Sequence, residues 1–212
     1  MKKTGNLNVC PVCNNRCIFC YEQPKRPLYP FPSFDEVKKI IDDFKENQVD
    51  HIMFLGGEPL LRKDVFDIVR YGTGIGIRFG MTTNGQLLGN RETVMKLIES
   101  GLCDFEISIH SADEDGFHLL NRAKKGNWRN VIAALDLLNE ILPLYEGRQV
   151  VINTVVMDRN RDFLGKIPEL LDSHFSNLKP PWMLKNIQAF PCTETSRSDS
   201  APRRLTIKET RE

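Results

Sequence analysis

Met53-Phe54-Leu55-Gly56-Gly57-Glu58-Pro59 reads as the end of a β-strand, starting at His51, that runs into a glycine pair, a carboxylate and a proline. Glycines at a strand end let backbone come close to a ligand and present its N–H and C=O groups. Taken alone, Gly-Gly-Glu-Pro is equally an ordinary turn. Position gives it weight. One strand–helix unit upstream, the short apolar run Leu7–Val9 feeds into Cys10-Pro-Val-Cys13-Asn-Asn-Arg-Cys17-Ile-Phe-Cys20, which holds four of the six cysteines. Disulfides that stabilise an exported domain close long loops. Cysteines packed this tightly read instead as metal or cluster ligation.

Outward from these two segments, apolar runs and helical patterns alternate. Ser33 with Glu36 forms a capping box for a helix from Phe34 to Glu46, with Phe34, Val37, Ile40, Ile41 and Phe44 on one face. Helices are expected at Arg62–Tyr71, Arg91–Ser100, Trp128–Ile141 and Asp162–His174. Strands are expected at Gly76–Thr82, Phe105–His110, Val150–Met157 and Leu184–Phe190. Strands alternating with helices pair in parallel. Six such units in 212 residues fall short of the ~250 of a complete eight-unit barrel. The fold class expected is therefore α/β, a partial (βα)6 barrel over residues 1–191. Residues 192–212 carry only Ala201, Leu205 and Ile207 as aliphatic residues after Cys192, and are expected to be a polar, mobile tail.

With 29 Lys+Arg against 28 Asp+Glu, the chain has no charge excess to capture nucleic acid or an anionic membrane. No apolar run approaches the ~20 residues of a membrane span, and no secretory signal is visible, so a cytoplasmic protein is expected. On the fourth strand, period-two alternation sets Glu106, Ser108 and His110 on one side. Polar side chains facing into a barrel are costly without partners. A ligand is thus expected there.

Cys13, Cys17 and Cys20, spaced three then two, resemble the CxxxCxxC loop of the radical S-adenosylmethionine (SAM) superfamily. That resemblance implies a [4Fe-4S] cluster on the three thiolates, with one iron left for SAM. It places Phe19 near the SAM adenine, and gives the amino group of SAM to the loop of Gly56, Gly57, Glu58 and Pro59, with Glu58 shaping it. Asn84, in Thr83-Asn84-Gly85, resembles a family segment at the third strand end. Ser108 matches a serine beside the ribose or methionine part of SAM. His110 departs from the acidic residue common there. Arg122 resembles an arginine that pairs with the SAM carboxylate, and is equally a solvated surface residue. Asn153 and Gln188 match inward polar positions, or are buried groups tying strands together. The activity implied is reductive cleavage of SAM to a 5′-deoxyadenosyl radical that takes hydrogen from an unidentified substrate. A one-electron reductant, flavodoxin or ferredoxin, is implied as partner. The alternative is a non-enzymatic zinc or electron-carrier module using Cys10, Cys13, Cys17 and Cys20 together.

Overall fold

The computed structural model describes residues 3–23, 28, 30–186 and, for the backbone, 206–209. Its centre is one sheet in the order β6-β5-β4-β3-β2-β1-β7. The strands are β1 (Lys3–Cys10), β2 (His51–Gly56), β3 (Arg78–Thr83), β4 (Leu102–Ser108), β5 (Gln149–Val156), β6 (Trp182–Asn186) and β7 (Thr206–Glu209). From β1 to β6 every pairing is parallel, the partial (βα)6 barrel. β7 pairs antiparallel with β1, so these four residues of the expected tail take a place in the sheet. Gln188, Cys192 and the end of the expected sixth strand lie outside the described residues.

The helices are α1 (Phe34–Glu46), α2 (Val65–Gly74), α3 (Arg91–Ser100), α4 (Glu114–Asn121), α5 (Asn127–Ile141), α6 (Arg161–Leu164) and α7 (Ile167–His174). The capping box of Ser33 and Glu36 forms in both directions. Three expectations are corrected. The second helix begins at Val65 and not Arg62, because Pro59–Leu61 make a separate 3-10 turn and Arg62 turns inward, 1% exposed. Asp162–His174 is two helices, α6 ending before Gly165 and α7 taking Pro168 in its first turn, where a missing N–H costs nothing. The third is α4, which was not expected at all. Asp113 caps it by accepting from Gly116 N–H at 2.8 Å, and Phe117 and Leu120 bury its inner face.

The two faces of the sheet differ. Phe54, Phe79, Met81, Phe105, Ile107 and Ile152 are fully buried among Ile41, Ile68, Leu97, Leu135 and Leu138 of the helices. Phe54 and Phe79 meet edge to face at 5.0 Å, a geometry that adds to their area burial. On the opposite, inner face the residues in register are Thr82, Glu106 and Val151, then Ser108 and Asn153. Burying one face under helices and leaving the other to a lumen follows from the period of two.

Candidate cofactor site

Strand C-terminal ends gather the site. After β1, the cysteine loop is held from three sides. Gly57 N–H donates to Cys10 O at 2.6 Å and Glu58 N–H to Val12 O at 2.8 Å, tying it to the loop after β2. Arg16 N–H and Ile18 N–H donate to Asn121 O and Leu120 O, the free carbonyls at the end of α4. On the third side lies a set of carboxamides. Asn84 Nδ2 donates to Asn14 Oδ1 at 2.7 Å, Asn14 Nδ2 to Gln86 Oε1 at 3.0 Å, and Gln86 Nε2 to Asn15 Oδ1 at 2.7 Å. Asn127 Nδ2, at the start of α5, also donates to Gln86 Oε1.

The glycine pair packs against the cysteine loop. A Cβ on Gly57 would stand 2.1 Å from Val12 O, and one on Gly56, whose φ is +133°, 2.4 Å from Cys10 O. These glycines let the cysteine loop and the loop after β2 lie backbone to backbone, the bare side of each turned to a carbonyl of the cysteine loop. Glu58 shapes this turn. Its buried carboxylate accepts from Thr83 Oγ1 (2.7 Å), Asn84 N–H (2.8 Å) and Leu60 N–H (3.3 Å), joining the ends of β2 and β3. Burial pushes the Glu58 carboxyl above its ordinary pKa, against those three donors. Pro59 starts the 3-10 turn. Arg62, unremarked in the sequence, clamps the far side: Nη1 donates to Val9 O at 3.0 Å and Pro32 O at 2.7 Å, and Nη2 to Asp64 at 2.8 Å.

Cys13, Cys17 and Cys20 are half-buried on the loop. Cys10 is apart from them. It is 1% exposed in the core, its Sγ lies 3.5 Å from Val12 O, and burial pushes its thiol pKa up. Among the described residues, no three His, Cys, Asp or Glu side chains are gathered as around one metal ion. A tetrahedral ion would need four convergent sulfurs. A cubane asks less, because each ligand binds a different iron. The donor set fits it: three sulfurs on one loop, with Asn15 N–H donating to Cys13 Sγ at 3.4 Å.

Further round the mouth, Phe19 meets His110 edge-on, ring centroids 4.4 Å apart. His110 lies beyond the end of β4, which closes at Ser108, two residues short of expectation. Its Nδ1 accepts from Val155 N–H at 3.1 Å, and burial, with the nearby Lys185 ammonium, lowers its pKa to about 3. It is a neutral ring bracing Phe19 against β5. Ser108 is half-buried, in register with Asn153. Asn153 is 3% exposed, and both amide atoms lack a hydrogen-bond partner among the described residues. A buried carboxamide left so is costly unless a ligand completes it. Arg122 caps α4 in the left-handed region at φ 45°. With Phe19, Ile18, Met157, Asp158 and Arg159 it lines an open cleft of about 450 Å³. The structure thus brings Phe19, His110, Ser108, Asn153 and Arg122 to the mouth beside the cysteine loop. Sequence reasoning missed Asn14, Asn15, Gln86, Arg62 and Arg159. Only Asn14 and Asn15, between the cysteines, carried a signal that could have been read.

Comparisons with known proteins agree with this geometry. The family model for the radical SAM superfamily matches residues 7–165. A GTP 3′,8-cyclase of Marinobacter nauticus is 30% identical over 209 residues, covering 97% of this chain and 59% of that protein. An AdoMet-dependent heme synthase of Methanosarcina barkeri is 33% identical over 163 residues, covering 74% and 44%. The chain thus spans about half the length of these curated relatives. Among solved structures, Streptococcus suis SuiB bound to S-adenosylmethionine superposes with a TM-score of 0.68 at 20% identity, covering 90% of this chain and 41% of that one. No helix among the described residues is long and apolar enough to cross a membrane. The chain belongs to the radical SAM superfamily, whose cofactors are a [4Fe-4S] cluster and S-adenosylmethionine.

Proposed function

We propose that this barrel binds a [4Fe-4S] cluster through Cys13, Cys17 and Cys20 and uses it to cleave SAM reductively. The observation that carries the reading is the separation of Cys10, sealed in the core, from the three half-buried thiols, since a cluster that binds SAM must keep one iron free of protein. Held by Cys13, Cys17 and Cys20, a [4Fe-4S] cluster would supply the one electron whose addition to the SAM sulfonium gives methionine and a 5′-deoxyadenosyl radical able to take hydrogen from a substrate. The chain's own residues bind, orient and exclude water. Asn153 offers the buried amide that a polar part of SAM would satisfy, with Ser108 beside it in register. Phe19, braced by His110, offers an aromatic face for the adenine. Arg122 stands at the cleft for a carboxylate, and Asn84 and Glu58 hold the loop they belong to. The electron comes from a flavodoxin or ferredoxin. GTP is the substrate to try first: the cyclase relative aligns along 97% of this chain, and Arg159, besides Arg122, lines the cleft as a cation for a phosphate group.

The test is anaerobic. Protein reconstituted with iron and sulfide, reduced with dithionite and given SAM should yield 5′-deoxyadenosine, and added GTP should raise the yield if it is the substrate. Cys10→Ala should keep its iron and its cleavage. Cys13→Ala, Cys17→Ala and Cys20→Ala should lose cleavage. Equal damage from all four substitutions would indicate a closed four-cysteine site and end the proposal.

A further inference from the structure

Between Cys13 and Cys17 stand Asn14 and Asn15, and both side chains turn inward to Gln86. Gln86 is 4% exposed and Asn15 1% exposed. The Gln86 carboxamide accepts on Oε1 from Asn14 (3.0 Å) and Asn127 (2.6 Å), and donates through Nε2 to Asn15 Oδ1 (2.7 Å). Its backbone N–H donates to Asn84 Oδ1 at 3.1 Å, so the side chain starts from a fixed point at the end of β3. A carboxamide can accept on one atom while it donates from the other. The residue it holds, Asn15, is the one whose backbone N–H donates to Cys13 Sγ at 3.4 Å. The neighbouring N–H groups of Arg16 and Ile18 are committed to α4 carbonyls.

We propose that Gln86 is a positioning residue for Cys13: through Asn15 it fixes the loop so that the Asn15 N–H stays aimed at the Cys13 sulfur. This rests on the reading of Cys13 as a cluster ligand. Hydrogen bonds to ligand sulfurs help set the reduction potential of an iron–sulfur centre. A donor to Cys13 stabilises the negative charge that arrives on reduction, so Gln86 makes the centre easier to reduce. Asn127 links this bracket to the start of α5, and Asn14 to the end of β3 through Asn84.

Two measurements test it, one needing no cluster. In the metal-free full chain, hydrogen exchange of the Asn15 amide should quicken about five-fold in Gln86→Ala, the effect of losing one hydrogen bond. Exchange at Gly57 and Glu58, which bond to the other side of the loop, should stay as in the wild type. In reconstituted protein, an EPR-monitored redox titration should place the centre at a more negative potential in Gln86→Ala and in Asn15→Gly. The double variant should shift no further than either single one, because the two act through one bond. Gln86→Met, uncharged and of similar length, also removes the donation to Asn15 and carries the same tests if the alanine variant fails to fold. Unchanged Asn15 exchange, or potential shifts that add in the double variant, would overturn the proposal. Wild-type protein that takes up no iron would instead overturn the cluster reading, with the exchange measurement still deciding whether Gln86 positions Asn15.

Discussion

The two ends of this barrel handle buried polar groups in opposite ways. At the N-terminal end of the strands, Asp104 is engaged on both oxygens: His51 Nε2 at 2.8 Å and Arg78 Nε at 3.0 Å on one, Arg78 Nη2 on the other at 2.5 Å. Burial alone would raise the Asp104 pKa, but His51 and Arg78 hold it well below the usual carboxylate range. At the C-terminal end, Asn153 lies buried with neither amide atom bonded, and Asn15 Nδ2 and Asn121 Oδ1 are likewise without partners among the described residues. At the first end Asp104 is spent on holding strands together. The other keeps some polar groups unspent beside the cysteine loop. In parallel barrels the first end is where stability resides and the second where chemistry does.

The comparison breaks most sharply at Gly57. A Cβ there meets Val12 O at 2.1 Å, so Gly57→Val should push the cysteine loop off its two backbone bonds. We expect near-complete loss of iron uptake and a stability loss of about 3 kcal/mol, from overpacking plus lost hydrogen bonds. Iron analysis and thermal unfolding read both. A variant that keeps its iron but loses SAM would return the glycines to the ligand.

At the opposite end, Asp104→Ala should cost about 2 kcal/mol, less than a fully buried pair because Arg78 is half in solvent. Iron content and SAM affinity should not change. If SAM affinity falls as far as stability, the two ends are not separate.

Asn153→Ala should show the reverse signature. Removing an unbonded buried amide loses no hydrogen bond, so stability of the cofactor-free protein should change by about 1 kcal/mol or less. SAM affinity, read by calorimetry on reconstituted protein, should fall about ten-fold, the effect of one lost polar contact of about 1.4 kcal/mol. Large destabilisation with unchanged SAM affinity would make Asn153 a strand tie.

A last test is in pH. His110 has a folded pKa near 3, below its ordinary value of about 6.5 when unfolded. Protonation therefore favours the unfolded chain: the contribution is intact above about 6.5 and is lost as pH falls toward 3. Denaturant midpoints from pH 7 to 4 should decline, and His110→Gln should flatten the part of the slope above pH 5. An unchanged slope would mean that His110 is not sealed behind Phe19.

Local signals made much of this legible. The boundaries of α1 and α3 follow from their caps, Ser33 and Asn90, and from one apolar stripe each. α4 escaped because it is eight residues long with Gly116 inside it, and a glycine argues against helix until packing is known. That glycine is needed where Ser111 and Phe163 press on the helix, contacts between elements that no window of sequence reveals.

The alternation of strands and helices, the cysteine spacing and the end of the strand at Gly56 could be read directly from the chain, since these depend on periodicity and on neighbours in sequence. What each polar group faces came from the packing of the folded chain. Gly56 and Gly57 turned out to serve the cysteine loop, Cys10 to belong to the core, and Gln86 to hold Asn15 across 71 positions of sequence. A hydrogen bond or a missing Cβ acts over a few ångströms in space, and the chain sets that distance only once all its strands have paired.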